Sequence, residues 1–134
     1  VEAARNGGSG GWWGRGLWSA RGAGKQGGGI IGTGHYAAGK AAVIGLWQGA
    51  AGELGPYGIT SNAIAPGFIL IGIATRAVDA QTEREVDEMI SAQAPMRRSG
   101  LPDDVDAAAA FFASEEAGYI TGEVMDVNGG IYFD

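Results

Sequence analysis

The stretch Glu53-Leu54-Gly55-Pro56-Tyr57-Gly58-Ile59-Thr60-Ser61-Asn62-Ala63-Ile64-Ala65-Pro66-Gly67 decides the fold. Gly55-Pro56 stops a helix, because proline removes a backbone donor and glycine accepts the left-handed conformation at a helix end. Residues 59–65 are a short apolar run with β-branched members, the pattern of a strand buried on both faces of a parallel sheet. Pro66-Gly67 then turns the chain. Upstream, residues 35–54 read as an amphipathic helix, with Tyr36, Ala37, Lys40, Ala41, Val43, Ile44, Trp47 and Ala51 on related turns. Downstream, residues 68–80 are apolar and irregular. Residues 81–93 read as a helix with Val86, Met89 and Ile90 inward. Pro102 opens another helix, to about Ser114, and Asp103 and Asp104 suit the positive end of its dipole. Residues 123–127 read as a last strand before the turn Asn128-Gly129-Gly130. Helix, strand, helix, helix, strand implies an α/β layer with parallel strands.

The chain has 134 residues, 46% of them hydrophobic, which suits one domain with a core and excludes two full ones. The absence of cysteine excludes a disulfide scaffold. No run of 18 apolar residues occurs, so no membrane span is expected. Val1 is not followed by a basic and then an apolar segment, so no secretory leader is expected either. A net charge of −6 and a pI near 4.6 argue against non-specific nucleic-acid binding.

Glycine and charge are unevenly spread. Thirteen of the 26 glycines and three of the four tryptophans (Trp12, Trp13, Trp18) lie within residues 1–34. Residues 1–40 carry a balance of +4 and residues 41–134 one of −10. The reading is a Gly/Trp-rich irregular head over 1–34, with a weak strand around 16–20, followed by an ordinary globular sequence over 35–134. Two matches to G-x-G-x-x-G, at 22–27 and 27–32, are expected by chance in so glycine-rich a segment. Neither follows a convincing strand, and the first acidic residue downstream, Glu53, lies inside the helix. Residues 34–41 match a phosphate loop until Ala41, where a hydroxyl is needed for magnesium, and a helix interior has no free N–H groups for a phosphate. His35 is the only histidine, which gives a histidine metal cluster or a Ser-His-Asp triad little support.

Tyr36 and Lys40 are four apart and share a helix face. A phenol with pKa near ~10 is a poor acid-base catalyst at neutral pH, and a nearby ammonium lowers that pKa by favouring the phenolate. The pair can then pass a proton to or from a substrate oxygen. The bland alternative is a surface contact worth about 0.2–0.5 kcal/mol.

The order of motifs adds weight. His35-Tyr36-Ala37-Ala38-Gly39-Lys40-Ala41-Ala42-Val43-Ile44-Gly45-Leu46 resembles the active-site helix of the short-chain dehydrogenase/reductase family, with its Tyr-x-x-x-Lys. The 53–69 stretch is similar to that family's next helix end, strand and Pro-Gly turn. Met96-Arg97-Arg98-Ser99-Gly100 before Asp103-Asp104-Val105 is similar to its late helix entry, and residues 119–130 to its last strand and C-terminal turn.

The resemblance covers residues 35–134 and implies the C-terminal half of a Rossmann-like doubly wound parallel sheet. The N-terminal dinucleotide-binding half would be missing, leaving an exposed sheet edge that needs a partner. Tyr36 would be the general acid/base, and Lys40 would lower its pKa and hold the nicotinamide ribose. Pro66, Gly67 and Ile69 would lie beside the nicotinamide of NAD or NADP, with the Ile69 backbone at its carboxamide. Ser19 is the nearest hydroxyl to the family's catalytic serine. Ile71 stands where the family usually has a threonine that helps hold the cofactor. Residues 68–80 and the helix 81–93 would cover an alcohol or carbonyl substrate. The implied protein is a cytoplasmic oxidoreductase and a homo-oligomer, without nucleic-acid or membrane partners. A derived fragment that serves as a non-catalytic interaction module is the alternative.

Overall fold

Pro56 and Gly58 end one element and launch the next. Gly58, at φ 73°, closes a short 3-10 turn (Gly55–Tyr57) by donating its N–H to the Gly55 carbonyl at 2.9 Å. Only a residue without Cβ takes that conformation at no steric cost. The chain then enters β3 (Ile59–Pro66), buried from Thr60 to Ala65, as the apolar run predicts. The computed structural model describes residues 2–5, 12–19, 34–70 and 80–133. The elements are β1 (Glu2–Arg5), β2 (Trp12–Ser19), α1 (Gly34–Leu54), β3, α2 (Ala80–Gln93), α3 (Pro102–Ala113) and β4 (Val124–Val127).

The four strands form one sheet in the order β1-β2-β3-β4. β2, β3 and β4 are mutually parallel, with Gly14 opposite Ile59, Ser19 opposite Ile64, and Ala63 opposite Val124. β1 pairs with β2 antiparallel, Glu2 opposite Arg15 and Arg5 opposite Trp12. The irregular reading of residues 1–34 is therefore corrected at 2–5 and 12–19. The weak strand placed at 16–20 starts four residues earlier, at Trp12. Its glycines hide it from a reading of side-chain alternation. Its order comes from hydrogen bonds to β3, which need no side chain. The N-terminal edge of the three parallel strands, expected to be exposed, is partly covered by β1.

Side chains alternate across β3 and so fill two cores. Ala63 and Ala65 meet Trp47 of α1, with Val43, Ile44 and Val124 around them. Ile64, on the other face, meets Ala108 and Phe112 of α3 and Ala117. Trp47 is fully buried, and among the described residues nothing accepts its indole N–H. The orphaned donor costs about 1–3 kcal/mol. Burial of a side chain of roughly 200 Å² at ~25 cal/mol/Å² returns about 5 kcal/mol, so packing decides its position. One position predicted to face inward does not: Met89 is exposed. α1 presents only its Val43–Trp47–Ala51 side to the sheet, and α2 contributes Ile90 to the core.

Strand order is monotonic while α1 and α3 lie on opposite faces. The two crossovers therefore have opposite hands, and one of them is left-handed, an uncommon connection. The β3-to-β4 connection is the long one, with both α2 and α3 within it.

Polar groups fix how β4 is laid down. Buried Asn62 donates through Nδ2 to the Ile120 carbonyl at 2.8 Å, and its Oδ1 accepts the Glu123 N–H at 3.1 Å. Ser61 receives the Gly122 N–H on its carbonyl at 2.7 Å and donates its own N–H to Thr121 Oγ1 at 3.1 Å. Ser61 Oγ donates to the Trp47 carbonyl at 3.0 Å. From β2, Arg15 reaches the end of α3 and donates through Nε to the Ser114 carbonyl at 3.2 Å, where its charge suits the negative end of the dipole. Asn62→Ala orphans two groups on the 120–123 segment. It is expected to lower the unfolding free energy by about 2–4 kcal/mol, read as a lower urea midpoint at unchanged m-value.

Candidate active site at the carboxyl ends of the strands

In a parallel α/β sheet, ligands bind beyond the carboxyl ends of the strands. Those ends here are Ser19, Pro66 and Val127. α1 leaves the carboxyl end of β2 and returns the chain to the amino end of parallel β3, so its N-terminus stands at the same rim. Tyr36 lies in the first turn of α1 and Lys40 one turn further, on one face by spacing. The backbone thus places Ser19, Tyr36, Lys40, Pro66, Gly67 and Ile69 at one end of the sheet. Ser19 is exposed and opposite Ile64, so β2 ends two residues short of the level of Pro66. Ile71, and with it most of the predicted covering loop, lies outside the described residues.

The turn after β3 is tightly determined. Gly67 donates its N–H to the Val127 carbonyl at 3.0 Å, which extends the β3–β4 ladder. A Cβ on Gly67 would stand 2.8 Å from both Cα and Cβ of Asn128, closer than real contacts allow. Only glycine lets the two strand ends meet. Asn128 is itself fixed: its Oδ1 accepts the Gly130 N–H at 2.8 Å and its Nδ2 donates to the Tyr132 carbonyl at 3.0 Å. Further on, Ile69 forms an isolated parallel bridge with Gly100. That bridge uses the Phe68 carbonyl, which accepts the Gly100 N–H at 3.0 Å, and the Leu70 N–H, which donates to the Gly100 carbonyl at 2.8 Å. Alternation then turns the N–H and carbonyl of Ile69 itself to the other edge.

Gly100 belongs to a second anchored turn. Arg97 takes a left-handed φ of 56° and donates through Nη1 to the Ala92 carbonyl at 3.0 Å. Arg98 grips Asp104 with two hydrogen bonds, Nη1 to Oδ2 at 2.6 Å and Nη2 to Oδ1 at 2.8 Å. Asp104 Oδ2 also accepts the N–H of Leu101, the residue before α3, at 2.8 Å. This carboxylate at the third helical position thereby secures the helix start, as the sequence placed it. The hydrogen bonds from Arg98 and then from the Leu101 amide hold the Asp104 carboxyl down at about 2. Its bond to Asp104 holds the Arg98 guanidinium above its usual value.

A cavity of about 360 Å³ opens beside this turn, with Pro95, Met96, Arg98, Asp126, Asn128 and Phe133 in its wall. Its described lining residues come from the 95–104 turn and from β4 and the segment after it, not from β2 or α1. It lies on the β4 side of the rim, with Gly100 of the Ile69–Gly100 bridge in its wall. Sequence reasoning did not find this cavity, because it forms where the 95–100 turn meets the C-terminal turn, which are remote in sequence. No group of metal ligands occurs among the described residues. No helix among them is long and apolar enough to cross a membrane.

Comparison with known proteins gives a consistent result. A family described as enoyl-(acyl carrier protein) reductase matches residues 23–132. The chain is 46% identical over 104 residues to the human (3R)-3-hydroxyacyl-CoA dehydrogenase, covering 78% of this chain and 38% of the relative. It is 45% identical over 101 residues to a 3-oxoacyl-[acyl-carrier-protein] reductase of Staphylococcus aureus, covering 75% and 39%. A crystal structure of a 3-oxoacyl-[acyl-carrier protein] reductase from Brucella melitensis superposes with a TM-score of 0.77 at 36% identity, over 90% of this chain and 42% of that one. Another from the same organism, with bound NAD, gives a TM-score of 0.76 at 36% identity over 90% and 41%. The chain thus spans about two fifths of the length of these relatives.

Unfolded Asp104 has its carboxyl near 3.8, so its bonds stabilise the fold above that pH, and the contribution is lost as pH falls through about 2. Unfolding free energy measured in urea from pH 5 to pH 2 is expected to fall more steeply for the native chain than for Asp104→Asn.

Proposed function

The chain belongs to the short-chain dehydrogenase/reductase family, and on that premise we propose that it carries the catalytic half of an NAD(P)-dependent ketoreductase or alcohol dehydrogenase. One observation carries the reading: the Tyr36–Lys40 pair opens α1 at the same rim as the Pro66–Ile69 turn. A nicotinamide fits the residues present there. Gly67 fixes the path of the turn, and the bridge leaves the Ile69 N–H and carbonyl turned toward the outer edge, as a donor–acceptor pair for a carboxamide. Tyr36, Lys40, Pro66, Gly67 and Ile69 would hold the nicotinamide end. When bound, NAD(P) supplies or accepts the hydride.

Tyr36 passes the proton to or from the substrate oxygen, and Lys40 favours its phenolate and bonds the ribose hydroxyls. Ser19, exposed at the end of β2, offers a hydroxyl at this rim for steadying the substrate oxygen. The substrate is a small alcohol or carbonyl compound, and the setting is cytoplasmic.

A second reading, a non-catalytic module that assembles through α1, has its own support. The outer side of α1 is bare: Ala38, Ala42, Gly45 and Gly49 are exposed, and a Cβ on Gly45 or Gly49 would meet nothing within 4 Å. A like helix from a second copy fits so flat a stripe in a homo-oligomer.

Titration with NADH and NADPH, followed by calorimetry, separates the two readings. The enzyme reading expects saturable binding, with turnover reduced about 10²–10⁴-fold in Tyr36→Phe while binding is retained. No binding at millimolar cofactor favours the module. Independently, Gly45→Arg is expected to halve the sedimenting mass of the oligomer.

A further inference from the structure

A doubly wound sheet continues past the first strand of its second half into the first half. In this chain that edge belongs to β2, and β1 lies along it. The geometry points to β1 as an edge guard: an internal strand that keeps the β2 edge from pairing antiparallel with the β2 edge of a second copy.

Three observations carry this. First, β2 is long for an edge strand: eight residues, with six of them registered against β3 on its inner side. A bare edge of that length is a template for strand addition. Second, β1 joins it antiparallel. Two identical edges related by a two-fold axis must also pair antiparallel, so β1 takes the direction a second copy would take. Third, β1 pairs with Trp12 to Arg15, half of the eight residues of β2. A second copy could use all eight residues of β2, whereas with β1 in place at most four remain for it, too short a ladder.

Concentration decides the competition. Residues 6–11 join β1 to β2 directly. A short connection of this kind holds a strand at an effective concentration on the order of millimolar, about a thousandfold above a second copy at micromolar protein. β1 thus prevails although it makes half the pairings.

The test is the full chain carrying Ala3→Pro and Ala4→Pro together. Neighbouring residues of a strand point their N–H groups to opposite edges, so one of the two prolines removes a donor facing β2. Sedimentation at ~1 to ~100 μM and amide hydrogen exchange at Trp12–Arg15 are read for both chains. The variant is expected to reach twice the mass of the native chain at high concentration. Its 12–15 amides should exchange faster at low concentration and recover protection as it associates. Identical mass and identical exchange in the two chains would overturn the guard. Should the variant not fold, exchange in the native chain still decides: protection at Trp12 or Trp13, which lie outside the register with β3, supports the pairing, and exchange of both at free-peptide rates overturns it. Because α1 is untouched, Gly45→Arg in the same background separates this edge association from any pairing through the helix.

Discussion

Everything in this fold hangs on β3. It is bonded on both edges, to β2 and to β4, and packed on both faces, against α1 and α3. An unpaired polar group is costly in a strand so enclosed: Thr60 Oγ1 has no partner among the described residues, but the strand also carries Ser61 and Asn62 in its middle. These two are put to use. Asn62 supplies a donor and an acceptor to the 120–123 segment, and Ser61 ties that segment and the Trp47 carbonyl to the strand. Two polar side chains in the most buried strand thereby set the register of its neighbour.

That register reaches the functional rim. With Ala63 fixed opposite Val124, Pro66 falls opposite Val127, and Gly67 meets Asn128 at a distance only glycine permits. The turn that follows therefore has one path, which carries Ile69 to Gly100 and links the rim to the Arg98–Asp104 anchor at the start of α3. The positions of Tyr36 and Lys40 depend on α1, and α1 is seated by Trp47 against Ala63 and Ala65 of the same strand. Both halves of the candidate site are thus referred to one reference strand.

How much of this was legible varies with the physical origin of each feature. β3, the helix stop at Gly55-Pro56, and α3 with its acidic start rest on local rules of burial and backbone donors, and the sequence showed each within a residue or two. The Tyr36–Lys40 pair was legible because helical spacing alone places it. β1 and the first half of β2 were not: β1 is four residues long and pairs only with β2, and the glycines of β2 break its alternation while its order comes from a partner more than forty residues away. The inward reading of Met89 failed for a related reason: periodicity shows that a helix has two sides but not how wide the packed one is. The Ile69–Gly100 bridge and the cavity beside it arise where remote turns meet, and no local pattern announces them.

The long β3-to-β4 connection sets an order of assembly. β2, α1 and β3 follow one another in one stretch of chain, but β4 arrives only after α2 and α3. Synthesis from the N-terminus releases β3 well before β4 leaves the ribosome. During that interval the β3 edge that β4 later covers from Ala63 to Pro66 has no neighbour. Non-local pairing of this kind is slow to close, so the newborn chain is at its most vulnerable to aggregation along an edge that the finished protein covers.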